Sequence, residues 1–312
     1  MFYNLPSLNG FAPKHFIQKA WVSHLSFGYD LIAELKPRTF VELGTADGES
    51  YFTFCQSVKE NNTGTVCYAV DTWQGDAHTG NYGEQVFSEV EKHNTSHYSY
   101  FSYLLRSSFD QALSQFADGS IDLLHIDGYH TYAAVKHDFE TWLPKMSSKG
   151  VIVFHDVNVR HGDFGVWKLW NELQNSHRTF QFDHGYGLGV LKVNRDHEFA
   201  SPFLNTLFAT APHRVEGEAQ AIRNYYARAN DRFKYLKMTG PWTPLHHSRD
   251  LKNRQESLEF YKSVNQQIDG LIYHSGKKIF LDIILQTHAE GDSQSWAQRY
   301  CGASKREVTK RS

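Results

Sequence analysis

The sequence predicts an α/β fold, a doubly wound seven-stranded sheet whose last strand runs antiparallel, followed by a C-terminal, mainly helical extension. Three observations predict it. Short apolar runs alternate with helical patterns from Thr39 to Val193. The first run feeds a glycine turn, Gly44 to Gly48, and the second stops on a carboxylate, Asp71. The last two runs are joined by His184-Gly-Tyr-Gly-Leu-Gly189, too short for a crossover helix, so the final strand must fold back on its neighbour.

Ahead of the sheet, Ile17, Trp21, Leu25, Tyr29, Leu31, Ile32 and Leu35 recur at roughly helical spacing. Residues 16–35 are therefore expected to form a helix over the sheet or its entrance, within an N-terminal segment 1–37. Strands are expected at Thr39–Leu43, Val66–Val70, Tyr100–Leu105, Ile121–Ile126, Val151–Phe154, Thr179–Phe182 and Leu188–Val193. Helices are expected between them at Tyr51–Lys59, Glu84–His93, Phe109–Phe116, Tyr132–Leu143 and Phe164–Leu173. Residues 38–195 form the domain expected to carry the site. After Asn194, Val215, Ala219, Ile222, Tyr226, Ala229, Phe233 and Leu236 step by three or four, an amphipathic helix. Leu258, Tyr261, Val264, Ile268 and Leu271 suggest another, with a loop at Thr239-Gly-Pro-Trp-Thr-Pro244 between them. The extension, 196–312, ends in a basic stretch from Ser304 and has no role legible in its residues.

Composition narrows the classes of function. Hydrophobic residues at 40% and charged residues at 21% are ordinary for a soluble globular chain of 312 residues. A net charge of −2 creates no global field toward nucleic acid or membrane. No run approaches the about 18 apolar residues of a membrane span, and Met1 to His15 does not read as a signal peptide. Cys55, Cys67 and Cys301 lack metal-ligand spacing and read as reduced thiols in a cytoplasmic protein.

Three constellations carry chemistry. In Glu42-Leu-Gly-Thr-Ala-Asp-Gly48 the glycines sit four apart, so the close pair of a dinucleotide fingerprint is missing. The pattern suits an adenosine ligand without phosphates, such as S-adenosylmethionine (SAM). Gly44 would let the backbone approach its amino-acid half, and Asp71 would accept both ribose hydroxyls. A glycine turn and a strand-end aspartate of purely structural use are the alternative. The second constellation is His125-Ile-Asp-Gly-Tyr-His130 and the third Val151-Ile-Val-Phe-His-Asp156, each at the C-terminal end of an expected strand. Ligands of open parallel sheets collect at that edge. Asp127 and Asp156, with His155, make a site for a hard divalent cation such as Mg²⁺, which would lower a hydroxyl's pKa. His130 is placed to take the proton. Here too the structural alternative stays open, since a strand-end Asp often caps the next helix. His137 and Asp138 stand as outer partners or a solvated helix face, and Asp163 as a helix N-cap. Trp167 and Trp170 read as core, while Trp73, Tyr82, His161 and Tyr186 fall on loops at the active edge.

Together, V-E-L-G-T-A-D-G-E-S-Y-F, A-V-D-T-W-Q-G-D, L-L-H-I-D-G-Y-H-T-Y, G-V-I-V-F-H-D-V and H-G-Y-G-L-G-V-L resemble the class I SAM-dependent methyltransferases of the "methyltransferase domain 24" type, over about residues 15–195. The resemblance implies a Rossmann-like fold with SAM as methyl donor. The set expected to hold it is Glu42, Gly44, Thr45, Asp47, Gly48, Ser50, Asp71, Thr72, Trp73, Ser108 and Asp127. A more distant similarity is to metal-dependent sugar O-methyltransferases of macrolide biosynthesis, whose Asp-Gly-x-His element matches Asp127 and His130. Those enzymes end the fifth strand on two acidic ligands, where this chain has His155-Asp156. The expected activity is O-methylation of a sugar or glycoconjugate hydroxyl, with Asp127 and His130 catalytic and Asp127, His155 and Asp156 on the metal. Alternatives are a non-catalytic SAM-binding scaffold and an NAD-dependent oxidoreductase, against which the glycine spacing and antiparallel end count. A small-molecule or glycan acceptor is the expected partner, with homo-oligomerisation left open.

Overall fold

A computed structural model describes residues 5–209 and 214–239. Residues 12–242 belong to one compact unit. Residues 5–11, with a 3-10 turn at Pro6–Asn9, belong to a separate one. The expected helix around residues 258–271, the 239–244 loop and Cys301 lie outside the described residues, apart from Thr239 itself.

The seven strands are β1 (Thr39–Leu43), β2 (Val66–Asp71), β3 (Ser102–Arg106), β4 (Ile121–Ile126), β5 (Met146–His155), β6 (Arg178–Phe182) and β7 (Leu188–Lys192). They lie in the order β3-β2-β1-β4-β5-β7-β6. All neighbours from β3 to β5 pair in parallel, whereas β7 runs antiparallel to both β5 and β6. This is the predicted sheet, closed by the predicted reversal. Central β4 is buried at every position, as a strand covered on both faces must be.

Helices α1 (Leu25–Leu35), α2 (Glu49–Glu60), α3 (Glu84–His97), α4 (Phe109–Ala112), α5 (Tyr132–Trp142) and α6 (Val166–Ser176) alternate with the strands, and α7 (Pro202–Leu207) and α8 (Arg214–Thr239) follow. Several begin on caps written in the sequence. Ser108 and Gln111 form a capping box on α4, and Thr131 accepts from Ala134 N at 3.3 Å on α5. No helix among the described residues is long and apolar enough to cross a membrane.

Three expectations on local structure need correction. The 16–35 pattern is not one helix: a 3-10 turn covers Ala20–Ser23 and α1 begins at Leu25. Residues 17–19 are instead non-helical, with Gln18 at φ +65°, and their three consecutive N–H groups donate to the Glu49 carboxylate. The Phe109–Phe116 helix stops at Ala112 and continues as a 3-10 turn over Leu113–Gln115. Strand β5 starts five residues earlier than expected, at Met146, with a register irregularity against β4 where it passes the polar Ser147-Ser-Lys-Gly150.

The predicted amphipathic helix is α8. Ala219, Ile222, Tyr226 and Phe233 are its buried stripe, and it packs on α1. Tyr226 donates to buried Asp30 at 2.9 Å and Asn230 Oδ1 accepts from Ser26 N at 3.0 Å. The buried Tyr226 hydroxyl and the Asn230 side-chain oxygen thereby find partners at that seam.

Candidate functional site

The C-terminal ends of β1, β2, β4 and β5 open on one cleft of about 370 Å³, a volume within the usual range of small-molecule pockets. One wall is the loop Gly44–Gly48. Its course is fixed by Asp71 at the end of β2. Asp71 Oδ2 accepts from Thr45 N at 2.9 Å and Ala46 N at 2.8 Å, and Oδ1 accepts from Trp73 N at 2.7 Å. Burial pushes the Asp71 pKa up, and these three N–H groups oppose it by favouring the charged form.

Gly44 has φ +87°, and a Cβ there would sit 2.1 Å from the carbonyl oxygen of Asp127. The glycine is therefore needed for contact between the β1 and β4 ends, not only for approach to a ligand as the sequence suggested. Two more loop donors are spent: Gly44 N donates to Val70 O at 3.0 Å and Gly48 N to Thr45 O at 2.8 Å. A pyrophosphate-binding loop presents such N–H groups to its ligand. This one turns them inward, which suits a ligand without phosphates.

Of the residues expected at the cofactor, Gly44, Thr45, Asp47, Ser50, Asp71, Thr72, Ser108 and Asp127 line the cleft. Glu42, Gly48 and Trp73 are buried behind its wall. Glu42 is bound to His125 Nδ1 at 2.8 Å, and Trp21 Nε1 donates to His125 Nε2 at 3.2 Å. The indole can only donate, so His125 is the Nδ1–H tautomer and donates to Glu42. Burial raises the Glu42 pKa against the pull of that histidine. Trp73, with φ +53°, is only 1% exposed and its Nε1 donates to Ala46 O at 2.7 Å, bracing the loop from behind.

The opposite wall holds the ionisable cluster. The ligand-capable atoms of Asp127, His130 and Asp156 lie within 4.8 Å of one another. His130 Nε2 stands 3.0 Å from Asp156 Oδ2 and 3.7 Å from Asp127 Oδ1. His155 Nδ1 approaches the same two oxygens, at 3.4 and 3.5 Å, from beneath. Its buried Nε2 has no hydrogen-bond partner. Asp156 follows β5 with φ +61°, a left-handed conformation that Asp tolerates better than most residues. Burial disfavours every charge here, yet the partners outweigh it. His130 is raised to about 9 and His155 to about 10 by the two carboxylates. Asp127 and Asp156 are pulled below the usual carboxylate range by the two histidines.

The remaining sequence candidates separate. His137 points outward to Asp110 at 2.8 Å, while Asp138 is buried and its carboxyl pushed up to about 7 by desolvation. Asp163 does not cap α6, whose N-cap is Gly165. Trp170 is core, and Trp167 donates to Phe164 O at 3.1 Å. Tyr82 lines the cleft, whereas His161 and Tyr186 are exposed.

Sequence reasoning missed two groups. One is the strap before α1, where Lys19 pairs with Asp47 and both line the cleft. The other is His78, carried by a two-stranded hairpin, Gly75–Asp76 with Gly80–Asn81. His78 Nδ1 meets His130 Nδ1 at 3.3 Å and His78 Nε2 meets Asp163 Oδ1 at 2.7 Å. The available signal was the tight Gly75-Asp-Ala-His-Thr-Gly80 turn directly after the β2 carboxylate.

Several known proteins are similar to this chain. Residues 41–157 match the family model described as a methyltransferase domain. An uncharacterized protein of Sinorhizobium fredii, y4gI, is 47% identical over 192 residues, covering 61% of this chain and 21% of its own length. An uncharacterized Acanthamoeba polyphaga mimivirus protein, R132, is 31% identical over 124 residues, covering 38% of this chain and 51% of its own. The chain thus spans only part of either relative. Among solved structures, the S-adenosylhomocysteine-bound Podospora anserina methyltransferase PaMTH1 aligns with a TM-score of 0.42 at 14% identity, over 57% of this chain and 89% of that one. A Geobacter sulfurreducens methyltransferase aligns with a TM-score of 0.41 at 12% identity, over 55% and 80%. The match to the methyltransferase-domain model runs from β1 to the residues just after β5, the part of the chain whose strand ends form the cleft.

Proposed function

We propose that this chain transfers the methyl group of SAM to a hydroxyl of a sugar or glycoconjugate, assisted by a divalent cation. The observation that carries the reading is the meeting of Asp127, His130 and Asp156 on the wall facing the glycine loop and Asp71. Two carboxylates and an imidazole fit a hard or borderline divalent ion, and a purely binding domain has no use for such a set. When bound, SAM supplies an electrophilic methyl and the cation lowers the pKa of an acceptor hydroxyl.

The residues' own work divides by wall. Asp71 retains accepting capacity on Oδ1, which takes only one of the three backbone N–H groups, and that capacity suits a ribose hydroxyl. Asp127, Asp156 and His155 would hold the ion, with His130 as a further ligand or as the base. His130 presents Nε2 to the carboxylates, and their charge keeps it protonated. Once that charge is matched by a cation, the cause of the raised pKa is removed and Nε2 can accept a proton near neutral pH. Holding both reactants across one cleft supplies a large part of the acceleration. In this reading residues 38–195 are the catalytic domain, 196–312 its extension, and the setting is cytoplasmic. The buried free thiols Cys55 and Cys67 fit such a reducing compartment.

The test is calorimetry with S-adenosylhomocysteine, with Mg²⁺ or with EDTA, followed by a screen of sugar nucleotides and glycans for methyl incorporation from labelled SAM. Binding of S-adenosylhomocysteine and Mg²⁺-dependent labelling of a hydroxyl are expected. Failure to bind S-adenosylhomocysteine overturns the reading, and labelling that EDTA leaves unchanged overturns its metal part.

A further inference from the structure

The cleft is rich in carboxylates and poor in fixed cations. Asp47, Glu49, Asp71, Asp76, Asp127 and Asp156 line it, whereas among the described residues at its surface Lys19 is the one lysine or arginine. The two histidines of the opposite wall already face Asp127 and Asp156. The backbone that carries Lys19 is built into place. The N–H groups of Ile17, Gln18 and Lys19 donate to the carboxylate of Glu49, in the first turn of α2. Gln18 takes φ +65°, a left-handed conformation that costs a residue with a side chain, and such strain collects at binding sites. Lys19 Nζ pairs with Asp47, whose backbone is fixed in turn by His15 Nε2 donating to Asp47 O at 2.7 Å. The Lys19 side chain is 61% exposed and that of Asp47 only 19%, so the lysine can leave the pair and the carboxylate stays. Beside them Thr45 is buried and lines the cleft, and its Oγ1 has no hydrogen-bond partner among the described residues. A buried hydroxyl of that kind calls for a partner from a ligand or water.

Sheet order says which part of a ligand meets this pair. Strand β1 lies between β2, which ends on Asp71, and β4 and β5, which end at the ionisable cluster. The sulfur of SAM carries three arms: the ribose methylene, the methyl and the amino-acid chain. With the ribose on Asp71 and the methyl directed to the β4–β5 wall, the end of β1 is left for the third arm. Lys19, Thr45 and Asp47 line the cleft there. That arm is a zwitterion, with an ammonium and a carboxylate on one carbon. A lysine beside an aspartate is its electrostatic complement.

We propose that the Lys19–Asp47 pair opens to read the amino-acid end of the cofactor, Lys19 taking its carboxylate and Asp47 its ammonium. This inference rests on the SAM reading above and deepens it. It makes Lys19, on the strap ahead of the sheet, a specificity-determining residue that separates SAM from adenosines without the amino-acid arm. One internal ion pair is exchanged for two with the ligand, so every charge stays matched. An adenosine lacking the arm leaves the internal pair closed and gains nothing from it.

The test is calorimetry with three ligands. S-Adenosylhomocysteine carries both charges, its decarboxylated analogue keeps the ammonium alone, and methylthioadenosine has neither. The variants are Lys19→Met and Asp47→Asn. Lys19 holds Glu49 through its backbone N–H, so Lys19→Met keeps the strap tied down, and an unchanged urea midpoint checks this. Should the methionine variant not fold, Lys19→Gln repeats the test. Lys19→Met is expected to bind S-adenosylhomocysteine about tenfold more weakly, the size of one hydrogen bond to a charged group. The same variant should bind the decarboxylated analogue as tightly as the wild type or more tightly, because Asp47 no longer has a partner to release. Asp47→Asn should weaken both ammonium-bearing ligands and leave methylthioadenosine unchanged. Unchanged S-adenosylhomocysteine affinity in Lys19→Met overturns the inference, and an equal loss for all three ligands overturns it by making the lysine structural. A wild type that binds all three alike overturns the inference while the adenosine site stands. A wild type that binds none overturns it together with the methyltransferase reading.

Discussion

The two walls of the cleft are built on opposite principles. On the glycine-loop wall the loop is tied down within the protein: Asp71 holds Thr45, Ala46 and Trp73, and Trp73 holds Ala46. On the β4–β5 wall two depressed carboxylates face two histidines whose pKa values are raised to about 9 and 10. The first wall is a finished scaffold that a ligand meets as a rigid shape. The second is a set of charges balanced by protons, which a cation could replace at little structural cost. In the proposed reaction the donor must stay in one place while the acceptor changes its protonation, and the difference between the walls fits that need.

The largest effect should come from the scaffold. Gly44→Ala puts a methyl 2.1 Å from Asp127 O at φ +87°, so the β1 and β4 ends must separate. We expect a loss of roughly 3 kcal/mol or more, from strain and overpacking together, read as a fall in urea midpoint, with S-adenosylhomocysteine binding lost. Near-wild-type stability would show that the loop is not the rigid wall described.

Asp156→Asn should do the reverse. Asparagine tolerates the left-handed backbone at this position, so the change removes charge without adding strain. Methyl transfer and Mn²⁺ affinity should fall at least as far as the about tenfold to hundredfold that outer partners of a metal site cost. S-Adenosylhomocysteine affinity should stay within about twofold, since additivity is expected for distant sites. A matching loss of both would collapse the distinction between the walls.

How much of this was legible in the sequence follows the same division. Apolar runs ending on Asp71, Asp127 and Asp156 marked the sheet edge, because strand ends and carboxylates are local features. The reversal of β7 was legible from a connection too short for a helix. What the sequence could not show was the direction a side chain faces. Trp73 looked like an edge aromatic and is a buried brace, and Glu42 looked like a cofactor residue and is paired with His125. His78 escaped because its partners, His130 and Asp163, lie 52 and 85 residues away. The 17–19 strap escaped for the same reason, since Glu49 holds it across about 30 residues.

The proton-balanced wall should also show itself in pH dependence. His130 and His155 have folded-state pKa values above the ordinary unfolded value of about 6.5. Their contribution to stability is complete below that value and is lost as pH rises through about 9 to 10. Asp127 and Asp156 have lowered values, so theirs is complete above the unfolded carboxylate range and lost only in acid. Between pH of about 7 and 10 the metal-free urea midpoint should therefore decline, and the stabilisation given by saturating Mg²⁺ should grow over the same interval. A midpoint that does not move there, in protein whose histidines are confirmed to titrate, would mean that the cluster is not charge-balanced as described.

The smallest change tests whether the scaffold wall touches the ligand at Trp73. Trp73→Phe keeps most of the buried ring and deletes one hydrogen bond, Nε1 to Ala46 O at 2.7 Å. If the indole only braces the loop, the cost is that of one bond plus the unpaired carbonyl, about 1 kcal/mol. S-Adenosylhomocysteine affinity should then weaken only to the extent that Ala46 shifts, by about fivefold at most, since 1.4 kcal/mol is a tenfold change in affinity. A direct stacking contact with the adenine would instead cost affinity out of proportion to stability. Measuring the two together decides it: parallel small losses identify a brace, and a large loss of binding at unchanged urea midpoint would put Trp73 in the site after all, as the sequence first suggested.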